Sequence, residues 1–111
     1  MLHSERKNEN RAYHLMTRQQ VIETLQTHRD EIKQFGVKQL SLFGSVTRGP
    51  LGPQSDVDIL VEFSKTTYRR FLGLKSLLES ILDRKVDLLT SPAVQGRLKE
   101  EITKDLINVP T

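Results

Sequence analysis

Cysteine is absent from the sequence. Its absence removes disulfides, zinc–thiolate sites and thiol nucleophiles from consideration, and it permits a reducing compartment without requiring one. Long apolar runs are missing too. No segment approaches the roughly 18 residues of a membrane-spanning helix, and the opening MLHSERKNENRAYHL lacks the apolar centre that a secretory signal needs. A cytoplasmic location is the expectation. Charge of one sign is also scarce: 17 Lys and Arg stand against 14 Asp and Glu, a dispersed net +3. The electrostatic footprint of a duplex-binding protein is therefore missing, and direct nucleic-acid binding is not expected. A weakly basic face could still attract phosphates or an acidic partner.

What is present suffices for one modest core, since 111 residues lie near the usual size of a single domain. Residues 1–15 are polar and aperiodic and read as an N-terminal extension that could be disordered. Met16 opens the patterned region, 16–111. Thr17 with Gln20 has the signature of a capping box, and Val21, Ile22, Leu25, Ile32 and Phe35 follow at helical spacing until Gly36. VKQLSLF, residues 37–43, predicts a strand. Three glycines and two prolines between Gly44 and Gln54 exclude regular structure from most of that stretch.

DVDILVEF, residues 56–63, predicts a second strand. From Tyr68 to Leu82 the spacing predicts a helix with Phe71, Leu74, Leu77, Leu78 and Ile81 on its core face, weakened by Gly73. RKVDLLT, residues 84–90, predicts a third strand, and SPAVQGRLKEEITKDLI, opening on Ser91 and Pro92, predicts a last helix with a wet, charged face. His3, His14 and His28 have no spacing that suggests a metal site. The order of elements predicts an α/β (α+β) fold, a small mixed sheet flanked by helices.

The chemistry concentrates in LFGSVTRGPLGPQSDVDILVEF, residues 42–63. On a strand, residues two apart point the same way, so Asp56 and Asp58 aim both carboxylates in one direction. Two like charges at the end of a buried strand disfavour each other unless a cation lies between them. A hard divalent ion such as Mg²⁺ suits oxygen ligands and keeps positions open for water and phosphate. Upstream, Gly44 lets the backbone approach a ligand closely. If SVTRG forms a helical turn, its free N–H groups, the Ser45 hydroxyl and Arg48 make an anion cradle. Two metals would need a third carboxylate, and Asp87 can supply it if its strand neighbours that of Asp58. Taken singly, Asp-x-Asp is an ordinary solvated strand end, Gly44–Ser45 a plain turn, Arg48 a surface ion pair and Asp87 a solvent-facing edge residue.

Together these residues resemble the nucleotidyltransferase superfamily related to DNA polymerase β. Gly44, Ser45, Arg48, Gly49, Ser55, Asp56 and Asp58 match its glycine-serine, ten residues, Asp-x-Asp motif in order and spacing, and VDLLT, residues 86–90, matches the stretch with the third acid. More narrowly, the region from Met16 to the C-terminus is similar to minimal nucleotidyltransferases of the MntA antitoxin type, which lack a second substrate-gripping domain. The resemblance implies a polymerase β-like fold and an antitoxin that transfers AMP from ATP to a tyrosine of a HEPN-domain RNase toxin, held in a stable complex. It further implies two Mg²⁺ ions held by Asp56, Asp58 and Asp87, with Gly44, Ser45, Arg48 and Ser55 on the nucleotide. Two other readings stay open: an antitoxin acting by binding alone, and a nucleotidyltransferase acting on RNA or a small molecule.

Overall fold

A computed structural model describes residues 15–110 of the chain; the N-terminal extension up to residue 14 lies outside the described residues. The first predicted helix begins as expected. The Thr17 hydroxyl accepts from the Gln20 N–H, and the Gln20 side chain accepts from the Thr17 N–H, a complete capping box. The helix does not run unbroken to Gly36. His28 leaves helical geometry at φ −104°, ψ 19°, dividing it into α1 (Arg18–Thr27) and α2 (Arg29–Lys33). His28 Nδ1 then meets Glu31 Oε1 at 2.8 Å.

Strand β1 (Val37–Phe43) leads into a single helical turn, α3 (Ser45–Arg48), followed by an irregular loop and β2 (Val57–Phe63). The loop is tied down. Met16 and Leu51 exchange two backbone hydrogen bonds, of 2.9 and 2.8 Å, and the Leu51 side chain is buried. The long helix α4 (Tyr68–Leu82) crosses to β3 (Val86–Thr90). Beyond β3 the last predicted helix is corrected: Ser91–Ala93 forms only a 3₁₀ turn around Pro92, and α5 starts at Gly96 and ends at Lys104. Ile107 belongs instead to a fourth strand, β4 (Ile107–Val109), although the sequence alone predicts helix as far as this residue. Three residues are too few to show a strand periodicity; pairing with β1 makes them a strand.

The sheet order is β3-β2-β1-β4, with β2 and β3 parallel and the other pairs antiparallel. The mixed sheet and flanking helices expected of the α+β class are present. Along β2 the odd residues Val57, Ile59, Val61 and Phe63 are buried among Val21, Leu25, Leu74, Leu78 and Leu82 of α1 and α4. Even residues face the other side, where Phe43, Val94 and Ile102 form a smaller cluster with Leu60, Leu89 and Leu106. Gly73 is more than a weak helix former. A Cβ there would lie 2.5 Å from the Phe35 ring, so α4 needs glycine for Phe35 to pack.

Candidate active site

The end of β1 and the starts of β2 and β3 meet at one rim. Phe43 pairs with Asp58 across the antiparallel ladder, and Asp58 pairs with Asp87 across the parallel one. Partners in register project to the same face, so Asp58 and Asp87 stand side by side on the face opposite α1 and α4. Asp56 lies one residue before β2, outside the strand in which it was expected. Its charge still reaches Asp58. Burial raises the Asp58 carboxyl above the usual carboxylate range, Asp87 and then Asp56 push it the same way, and Arg48 draws it back.

Gly44 closes on this group from β1. It takes φ +73° as it caps α3, a left-handed angle that side chains disfavour, and a Cβ there would run into Asp58 Oδ2. The helical turn anticipated for SVTRG is present, with the Thr47 hydroxyl donating to the Gly44 carbonyl at 2.6 Å. Ser45 is exposed at the head of this turn. Ser55 is half-buried in the bend before Asp56, its N–H donating to the Gly52 carbonyl at 3.2 Å. Gly44, Arg48, Asp56, Asp58 and Asp87 thus gather at the rim, with Ser45 and Ser55 at its flanks.

Two neighbours carry no sequence signal. Arg48 Nη1 donates to Asp105 Oδ2 at 2.5 Å, across 57 positions of chain. Arg18 Nη1 donates to the Thr47 carbonyl at 3.3 Å, and with Arg48, Thr17 and Pro50 it lines a cleft of about 390 Å³ beside the turn. Both contacts come from elements remote in sequence, so no motif spacing could have shown them.

Among the described residues no trio of His, Asp and Glu side chains is already drawn together around a cation-sized point. The donor set nevertheless fits a hard divalent ion. Asp58 is half-buried and crowded by two like charges, a state that a cation between oxygens relieves.

Residues 25–109 match the nucleotidyltransferase domain family, and the chain belongs to it. Protein adenylyltransferase MntA of Thermococcus cleftensis is 30% identical over 97 residues, covering 86% of this chain and 98% of that protein. A Methanocaldococcus jannaschii protein provisionally named a protein adenylyltransferase is 39% identical over 100 residues, covering 86% of this chain and all of that one, 100%. Among solved structures, one provisionally described as a minimal nucleotidyltransferase is 32% identical with a TM-score of 0.64, covering 81% of this chain and 95% of that chain. A tri-AMPylated Shewanella oneidensis HEPN toxin in complex with MNT antitoxin matches with a TM-score of 0.53 at 21% identity, covering 77% and 71% of the two chains. At that identity the likeness is one of fold.

Proposed function

We propose that this chain is an Mg²⁺-dependent protein adenylyltransferase acting as an antitoxin: it transfers AMP from ATP to a tyrosine of a HEPN-domain RNase toxin, held in a stable complex, and so neutralises it. The observation that carries this reading is the register of Asp58 against Asp87 beside the Gly44 turn. Carboxylates and a close-approach backbone converge there, as metal-assisted transfer from a nucleoside triphosphate requires. The names of the relatives supply the acceptor class: protein adenylyltransferase for the homologues, and AMPylated HEPN toxin for the structural likeness.

In this mechanism Asp56, Asp58 and Asp87 would hold the ions, and Gly44, Ser45, Arg48 and Ser55 would orient the triphosphate. Bound Mg²⁺ would neutralise phosphate charge and favour the ionised acceptor oxygen. The tyrosine oxygen attacks the α-phosphorus in line while the bond from that phosphorus to the α,β-bridging oxygen breaks. Pyrophosphate leaves, and the hydroxyl proton passes to Asp87. The protein's contribution is positioning and charge stabilisation, with the Arg48 guanidinium facing the departing negative charge.

The test is incubation with labelled ATP, Mg²⁺ and a candidate partner, a small helical protein bearing an Arg-x-x-x-x-His motif. Covalent label on that protein with loss of its RNase activity is the expected outcome. Inhibition without label would replace the enzyme with an occluding antitoxin, and label on bulk RNA with no protein partner would redirect the substrate.

A further inference from the structure

Asp105 stands where local structure does not favour it. It caps the C-terminal end of α5, where the helix dipole disfavours an acidic side chain and favours a basic one. Its backbone is held by the N–H donating to the Ile102 carbonyl at 3.3 Å, and by Leu106, which packs beside Phe43, Val94 and Ile102. The carboxylate is thereby presented to Arg48, whose Nη1 donates to it at 2.5 Å. Arg48 is 62% exposed and Asp105 32%, so water and solutes reach the pair. A guanidinium fork suits a carboxylate and a phosphate by the same geometry. Asp105 therefore occupies the arginine as a phosphate oxygen would.

We propose that Asp105 is the resident counter-ion of Arg48 and that an incoming polyphosphate displaces it, so that this carboxylate sets how readily the site admits a triphosphate. The proposal rests on the nucleotidyltransferase reading above. A solvated ion pair of this kind shifts an equilibrium by at most about fivefold, weak enough for a multiply charged phosphate chain to outcompete one carboxylate. Arg48 is also the charge that draws Asp58 back toward its ordinary range, so the exchange takes place beside the acidic rim. A purely orienting role for Asp105 makes the opposite prediction: its loss would weaken binding.

The test compares wild type, Asp105→Asn and Asp105→Glu, each with Arg48 intact and with Arg48→Gln. The readouts are the KM for ATP, kcat, and calorimetric binding of inorganic tripolyphosphate in Mg²⁺. For Asp105→Asn we expect the KM for ATP to fall and tripolyphosphate to bind more tightly, each by about two- to fivefold, with the change on KM rather than kcat. Asp105→Glu should restore wild-type values, and in the Arg48→Gln background Asp105→Asn should change little. Unchanged or weaker binding in Asp105→Asn overturns the proposal, as does an equal gain without Arg48, which would mark a general charge effect. If the wild type binds ATP and Asp105→Asn matches it, this inference alone falls. If the wild type binds neither ATP nor tripolyphosphate, the nucleotidyltransferase reading falls with it.

Discussion

On the face of the sheet that meets α1 and α4, Val57, Ile59 and Val61 of β2 are sealed from solvent among leucines. On the opposite face the same strand offers Asp58, Leu60 and Glu62, covered only in part by the cluster around Ile102. One strand thus serves two environments through its alternation. Crowded carboxylates placed on the closed face would incur the full cost of burying charge. At the rim of the other face Asp58 keeps partial solvation, and it remains reachable by ions and phosphates. Stability and chemistry are separated by a single residue of register.

Asp58→Asn breaks the open face and carries the largest expected effect. Transfer should fall by at least about 10²-fold, measured as label on the partner. Stability should move the other way. A carboxyl whose folded-state pKa is raised binds more protons in the native than in the unfolded state, so native stability falls as pH rises from the ordinary value near 3.8 toward the raised one, and stays lower above it. The asparagine variant escapes that loss. Thermal melts should show it more stable than wild type at neutral pH, with the difference disappearing below about pH 3.8. Equal or lower stability at pH 7 would show that Asp58 is not the crowded group.

Leu78→Ala breaks the closed face. Its side chain is fully buried, and the substitution should cost about 2–5 kcal/mol in urea unfolding. Leu98→Ala on α5, where the side chain is 46% exposed, should stay within about 0.5 kcal/mol. Similar costs for the two would contradict the division between faces.

A pair of loop glycines sharpens the comparison. Gly44→Ala forces a left-handed φ on a residue with a side chain and pushes Asp58 aside. The conformational part alone should cost about 1–3 kcal/mol, with transfer impaired as well. Gly49 has extended backbone, and a Cβ there meets nothing within 4 Å, so Gly49→Ala should leave stability near wild type. Denaturation and transfer assays on both variants decide whether close approach to Asp58, rather than loop flexibility, is what Gly44 provides.

Much of this was legible beforehand. The capping box at Thr17, the alternation in DVDILVEF and the leucine face of α4 are local patterns, and local hydrogen bonding and packing honour them. The helical turn after Gly44 and a rim shared by Asp58 and Asp87 stand in the sequence only as conditions, and the fold meets both through the turn at Ser45–Arg48 and the pairing of β2 with β3. Other features were not legible. The break at His28 interrupts an apolar spacing that reads as continuous. Strand β4 exists by virtue of its ladder to β1, and Gly73 reads locally as a flaw in α4 although a Cβ there would strike the Phe35 ring. Asp105 lay inside what read as a wet charge run, and nothing local distinguished it.

By itself the sequence determined the kinds of element, the two faces of β2 and the candidate residues Gly44, Asp56 and Asp58, because periodicity and turn chemistry act over a few neighbouring residues; Asp87 enters only as the third carboxylate that a two-metal site implies. Only the tertiary structure decided that Asp87 lies in register with Asp58, that Asp56 sits just outside the strand, and that Arg48 rests on Asp105. Those relations depend on which strands pair and where helix ends land, and chain folding settles that across tens of residues.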